Sequence, residues 1–270
     1  MLSSKLPQKL FHVLRVASAM CFIGHGAFGI ITKQIWCNYF AVFGIQENLA
    51  YQLMPVVGMG DIIFGLILLF YPVRFIAAWL VGWGVLTALL RPLSGEPFAE
   101  TIERAGNYGA PLVLLMLAGM KGLRSKDWFT RMQPPVEMTE KQSVVVIKSL
   151  ELFGFMLLLG HGWLNLLLKK GLLNQYAGLG FTNPVQVAQI VGILEIIAAL
   201  SIIIKPVRPL IFLIFTWKMA SELLYPHYGI FEWIERGGSY GVLLALWLSL
   251  RESNSLRINT SFFSFRKQSA

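Results

Sequence analysis

The chain has 270 residues, of which 56% are hydrophobic and only 14% charged, and its mean hydropathy is +0.62. Soluble domains carry about 25% charged residues, so this balance excludes an ordinary soluble class and points to a membrane. The net charge is +9, but the basic residues fall at the ends of apolar runs with no interleaved aromatics. That argues against a nucleic-acid partner and for a charge bias across a lipid bilayer.

In chain order, apolar stretches approaching the length of a bilayer span lie at 11–31, 51–71, 75–93, 108–120, 146–168, 187–204, 209–225 and 240–250. They are rich in Leu, Gly and Ala and lack period-two alternation, which predicts a helical bundle and not a β-barrel. The first carries Arg15 and, near its end, Gly24-His25-Gly26. It has features of a cleaved signal peptide, but Arg15 interrupts the apolar stretch and a counterpart occurs later in the chain, so it is expected to be retained. Cys21 and Cys37 form no metal or redox motif. Asp61 stands halfway along the second stretch and Arg91 at the end of the third. The fourth is preceded by the phrase IERAGNYG at 102–109, which contains Glu103, Arg104 and Tyr108. A polar segment with Pro134 and Pro135 follows. Gly160-His161-Gly162 ends the fifth stretch, Glu195 sits within the sixth, and Lys218 and Glu222 sit within the seventh. A second phrase, IERGGSYG at 234–241, brings Glu235, Arg236 and Tyr240 before the eighth.

The two phrases belong to a longer self-similarity. Gly24-His25-Gly26 matches Gly160-His161-Gly162, and Lys33 matches Lys169. Asp61 matches Glu195, Pro72-Val73-Arg74 matches Pro206-Val207-Arg208, and Trp83 matches Trp217. The offset shortens only at predicted loops, where length changes are tolerated. The expected architecture is an all-α integral membrane protein with eight transmembrane helices arranged as two parallel four-helix repeats. Residues 1–120 form the first repeat, 121–145 a cytoplasmic linker, 146–250 the second repeat, and 251–270 a polar tail. Four is even, so both repeats run in the same sense, with a pseudo-symmetry axis along the membrane normal. Arg74, Lys121, Arg124, Lys126, Arg131, Lys141, Lys205 and Arg208 outweigh the basic residues of the opposite loops. This bias predicts both termini in the cytoplasm.

The stretch after each phrase is too short to cross alone, roughly 15–18 Å of helix against a hydrocarbon core of about 30 Å. Either that helix runs on at its inner end or the phrase itself lies at membrane depth, as a short half-inserted helix capping a pocket. An i,i+4 spacing predicts Glu100 paired with Arg104 and Glu232 with Arg236. Gly106 and Gly238 suit a chain break, and Tyr108 and Tyr240 suit interfacial rings. The alternative is a surface amphipathic helix that only fixes topology. Within the spans, Lys218 is expected to reach Glu222 or Glu195, which leaves Asp61 without a partner. Arg15 and Glu151 hold equivalent places with opposite charge and are expected to bridge the halves. His25 and His161 are candidates for ligand contact, although two histidines alone make a poor metal site.

The four-helix unit, with Gly-His-Gly ending its first helix, a Pro-Val-Arg turn between its second and third, and many small residues, resembles the DoxX-like superfamily, here as a tandem duplication. That group includes subunits of quinone-linked thiosulfate oxidation and Surfeit-type cargo receptors. The resemblance implies a multi-pass protein of the bacterial inner membrane, surrounded by lipid bilayer and working with a membrane or peripheral redox partner. Together with the polar residues placed above, it points to a small amphipathic or quinone-like ligand bound by His25, Asp61, Arg91, Glu103, Arg104, Tyr108, His161, Glu195, Lys218, Glu222, Glu235, Arg236 and Tyr240. No cofactor is identified, and nothing in the chain supplies haem-ligand pairs or paired cysteines for unaided electron transfer. A proton-coupled transporter of a small solute and a non-catalytic scaffold or assembly factor are the alternatives.

Overall fold

The computed structural model describes residues 5–119, 124–223 and 229–250. The tail at 251–270, the first residues of the expected linker and the end of the seventh expected span lie outside the described residues. Every regular element described is helical, apart from a lone bridge between Val73 and Arg131. In order these are α1 (Leu6–Ile30), α2 (Trp36–Ala41), α3 (Glu47–Phe70), α4 (Arg74–Leu93), α5 (Ala99–Glu103) and α6 (Ala105–Ala118). A 3-10 turn at Ser125–Trp128 follows, then α7 (Glu140–Leu166), α8 (Lys170–Gly178), α9 (Pro184–Ile204), α10 (Arg208–Leu223), α11 (Ile230–Glu235) and α12 (Gly237–Leu250).

Local chemistry sets the helix starts. Pro7 stands in the first turn of α1, where its missing N–H costs nothing. Thr139 caps α7 by accepting from the Gln142 amide at 3.2 Å, and Asn183 caps α9 by accepting from the Gln186 amide at 3.1 Å. Gly44 and Gly180, just beyond α2 and α8, turn the chain with φ of 73° and 89°, where a side chain would be strained.

Five helices, α1, α3, α4, α7 and α9, are long and apolar enough to cross a membrane. The chain is therefore a multi-pass membrane protein. The other three expected spans are shorter: α6 has 14 residues and α10 has 16, and α12 is likewise short. α6 and α12 begin inside the charged phrases, so each helix extends through the glycines.

Glycines set the packing. A side chain at Gly29 would meet the Gly58 Cα at 2.7 Å, and one at Gly162 would meet the Gly192 oxygen at 2.8 Å. α1 therefore lies backbone to backbone on α3, and α7 on α9. Lipid tails are as apolar as side chains, so close backbone contact of this kind drives helix association. α6 is central, touching α1, α4 and α7, and Val113, Leu114, Val242, Leu243 and Leu246 are completely buried there. Val56, Met59, Ile193, Leu194 and Leu213 are exposed on the outer helices. Such a face would be a liability in water and is ordinary against lipid.

Candidate functional site

One end of the bundle holds the N-terminal side of α1, the turn at Pro72–Val73 and the segment after α6. The opposite end, called here the loop face, holds α2, α5, α8 and α11. Arg74, at the start of α4, donates to the Ala118 oxygen at 2.9 Å and the Gly119 oxygen at 3.2 Å. The start of α4 and the end of α6 are thus level there. α4 has 20 residues and α6 has 14, which puts the start of α6 about 9 Å below the far end of α4. α5 hangs at that depth, and the Thr101 hydroxyl donates to the Ala88 carbonyl inside α4 at 3.0 Å. Glu100, Glu103 and Glu235 are all buried. The charged phrases therefore do not float on the surface.

The depth is made possible by glycines on the other half of the chain. The Cβ that Gly24 lacks would overlap the Glu235 backbone, and the one that Gly160 lacks would overlap the Glu103 backbone. Gly24 and Gly160, each beside a histidine, thus admit the close approach of a short helix. Gly106 and Gly238 are not chain breaks. Each lies in a helix, and they pack on each other, so that a side chain at Gly106 would meet the Gly238 carbonyl carbon at 2.7 Å. The break falls instead at Arg104 and Arg236.

The charges pair across the halves. Arg104 donates to Glu235 at 3.1 Å, and Arg236 donates to Glu103. The expected i,i+4 pairs do not form. Glu100 accepts from Arg91 at 3.3 Å and from Lys169, and Glu232 accepts from Lys33 at 3.3 Å. On so short a helix the side chains find charges on other elements before they can bend back along their own. Glu222 lies 3.8 Å from Arg236. Lys218 pairs with Glu195 at 3.4 Å and not with Glu222.

Two cavities open beneath the loop face. The first has a volume of about 130 Å³ and is lined by His25, Arg91 and Arg104 together with Trp36, Tyr39, Phe40, Trp83 and Asn107. Asp61 is not unpaired, because His25 Nδ1 lies 2.8 Å from Asp61 Oδ2. The imidazole packs on Trp36 with ring centroids 4.7 Å apart. Tyr39 donates to Glu96 at 2.6 Å, and burial pushes its phenol above the ordinary range, so it remains a neutral donor. Two donors at this cavity, Trp83 Nε1 and Arg104 Nε, are buried without a hydrogen-bond partner.

The second cavity has a volume of about 90 Å³ and is polar, with Glu103, His161, Lys169, Gln175, Glu222 and Arg236 in its wall. His161 Nδ1 lies 2.5 Å from Glu195 Oε2. Asn165 donates to the His161 carbonyl at 3.1 Å and accepts from the Tyr176 hydroxyl at 2.7 Å. Tyr108 and Tyr240 are not interfacial rings. Tyr108 packs on Phe153 and donates to the Thr101 carbonyl at 3.3 Å, and Tyr240 is buried against Trp233.

Sequence reading missed Trp36, Tyr39, Trp83, Asn107, Asn165, Lys169 and Tyr176. The recurrence of Lys33 as Lys169 was a signal for the last cation, and Trp83 was noted only as a repeat landmark. The expected Arg15–Glu151 bridge is absent, since Glu151 is held by Lys148 at 2.6 Å on its own helix. Cys21 and Cys37 are free thiols. Among the described residues no group of three or more His, Cys, Asp or Glu is gathered for a metal. Comparison with protein-family models, curated proteins and solved structures finds no match.

Proposed function

We propose that this chain binds a small amphipathic molecule with a planar, carbonyl-bearing head, of the quinone kind, in the first cavity, as a redox-associated membrane subunit. The observation that carries the reading is the pair of buried donors without partners, Trp83 Nε1 and Arg104 Nε, beside an aromatic-walled cavity. Leaving a buried donor unmet costs about 1–3 kcal/mol, and a ligand oxygen would remove that cost. Trp36, Tyr39 and Phe40 offer stacking surfaces. The His25–Asp61 pair can take up or release a proton beside the bound head. A bound quinone would supply the redox chemistry, while these residues bind, orient and hold the proton. Electrons would have to come from a partner.

The same proposal takes the architecture as two parallel four-helix repeats with eight crossings, in a bacterial inner membrane, with both termini cytoplasmic. Supporting it, Arg104–Glu235 recurs as Arg236–Glu103, Gly24 on Glu235 as Gly160 on Glu103, and left-handed backbone at Thr32 as the same at Leu168. In this reading α6 and α12 complete their crossings together with the inserted α5 and α11.

Titration of the purified protein with a short-chain benzoquinone, followed by tryptophan fluorescence, tests the ligand. Saturable quenching is expected, weakened about tenfold by Arg104→Gln and by Trp83→Phe, as loss of one hydrogen bond implies. Quenching that does not saturate, or that ignores both substitutions, would remove the proposal. A proton-coupled transporter remains the second reading, favoured by the buried His161–Glu195–Lys218 chain. It requires Asp61→Asn or Glu195→Gln to abolish uptake.

A further inference from the structure

The second cavity beneath the loop face is walled by charged side chains, unlike the aromatic first. It gathers Glu103 from the end of α5, His161 from α7, Lys169 and Gln175 from the start and middle of α8, Glu222 from α10 and Arg236 from just after α11. Its volume is about 90 Å³, against a share of roughly 30 Å³ for each molecule in liquid water. A few waters fit there, or one molecule of a few heavy atoms.

The wall is held in place by contacts between its elements. The glycine at 160 on α7 seats the Glu103 backbone. Gln175 donates to the Ser221 carbonyl at 3.5 Å, which ties α8 to α10, and the Tyr176 hydroxyl donates to Asn165 at 2.7 Å, which ties α8 to α7. Polar groups converging on a pre-formed hollow are the usual form of a small-molecule site.

The charges in the wall keep bonding capacity. A guanidinium has five N–H donors and an ammonium three. Among the described residues the Arg236 guanidinium gives one hydrogen bond, to Glu103, and the Lys169 ammonium gives one, to Glu100. Glu222 Oε1 lies 3.8 Å from Arg236 Nε, close enough for attraction but too wide for a hydrogen bond. A bridging group fills a gap of that kind. The wall thus holds two cations and two acids. An ion of either sign would be drawn to one pair and repelled by the other, whereas a molecule carrying both charges is drawn to all four.

We propose that the second cavity binds a small zwitterion of the α-amino-acid class, with its carboxylate on Lys169 and Arg236 and its ammonium on Glu222. Hydrogen bonds between such charged groups are the strong ones. The site is separate from the aromatic cavity and stands whether or not that one binds a quinone. It requires binding and not transport.

The test measures equilibrium binding of radiolabelled glycine, the smallest member of the class, to the full chain in phosphatidylcholine nanodiscs. Acetate and methylammonium, each with one of its two charges, serve as competitors. Saturable glycine binding is expected, with both competitors at least about tenfold weaker than unlabelled glycine, as loss of one charge-assisted hydrogen bond implies. Glu222→Gln and Lys169→Gln should each weaken glycine binding by about the same factor, while Lys141→Gln, exposed at the other end of the bundle, should not. Lys169 reaches the surface, so its variant keeps the test decisive if Glu222→Gln does not fold. No saturable glycine binding, competition by acetate or methylammonium as strong as by glycine, or an equal loss from Lys141→Gln overturns the proposal.

Discussion

His25 and Asp61 carry the sharpest energetic consequence at the scale of single residues. An ionised acid at this depth costs about 3 kcal/mol or more unless it is paired, and Asp61 is buried with His25 at 2.8 Å. Removing one partner of a buried pair strands the other, which typically costs about 3–5 kcal/mol. His25→Ala should therefore lower stability by about that amount in a denaturation series, and Asp61→Asn added to it should recover part of the loss. If the second substitution gives no relief, His25 acts only by packing on Trp36. Each residue was conspicuous in the sequence, but their pairing was not. Periodicity tells which residues sit within a helix and not which faces of two helices meet. Trp36 and Tyr39 were illegible for another reason: a helix of 6 residues completes too few turns to leave a period.

The short helices α5 and α11 decide matters at the scale of elements. Each lies in the other half of the chain, α5 against α7 and α11 against α1, and each carries one end of a reciprocal ion pair. A double-mutant cycle on Arg104 and Glu235 should return a coupling of about 0.5–3 kcal/mol, as contacting charged residues do. The equivalent cycle on Glu100 and Arg104 should return about zero. A larger coupling in the second cycle would restore the local i,i+4 pairing. The sequence made the phrases, their duplication and their short following helices legible. The partners were not, because a spacing rule for isolated helices competes here with a charge brought within 3.1 Å by packing. The same competition gave Glu151 to Lys148 and left Arg15 without it.

At the scale of the whole molecule, the two halves that the proposed duplication relates differ in their interiors. Gly29 and Gly84 in the first half stand where the second has Asn165 and Lys218. Asn165 and Lys218 reach Glu195, and together with His161 and Tyr176 they fill the second interior with its own polar partners. In the first interior His25 pairs with Asp61, and an aromatic-walled cavity of about 130 Å³ remains. The two interiors thus differ in their polar partners, and each keeps a cavity beneath the loop face. The membrane class was legible from composition, while this divergence needed the side-chain contacts. An experimental density map of the full chain in lipid nanodiscs tests the whole most directly. Expected are Glu103, Arg104, Glu235 and Arg236 beneath the headgroups, paired across the halves, with ligand density between Trp36, Trp83 and Arg104. The same four side chains splayed into bulk water, with no enclosed space behind them, would contradict it.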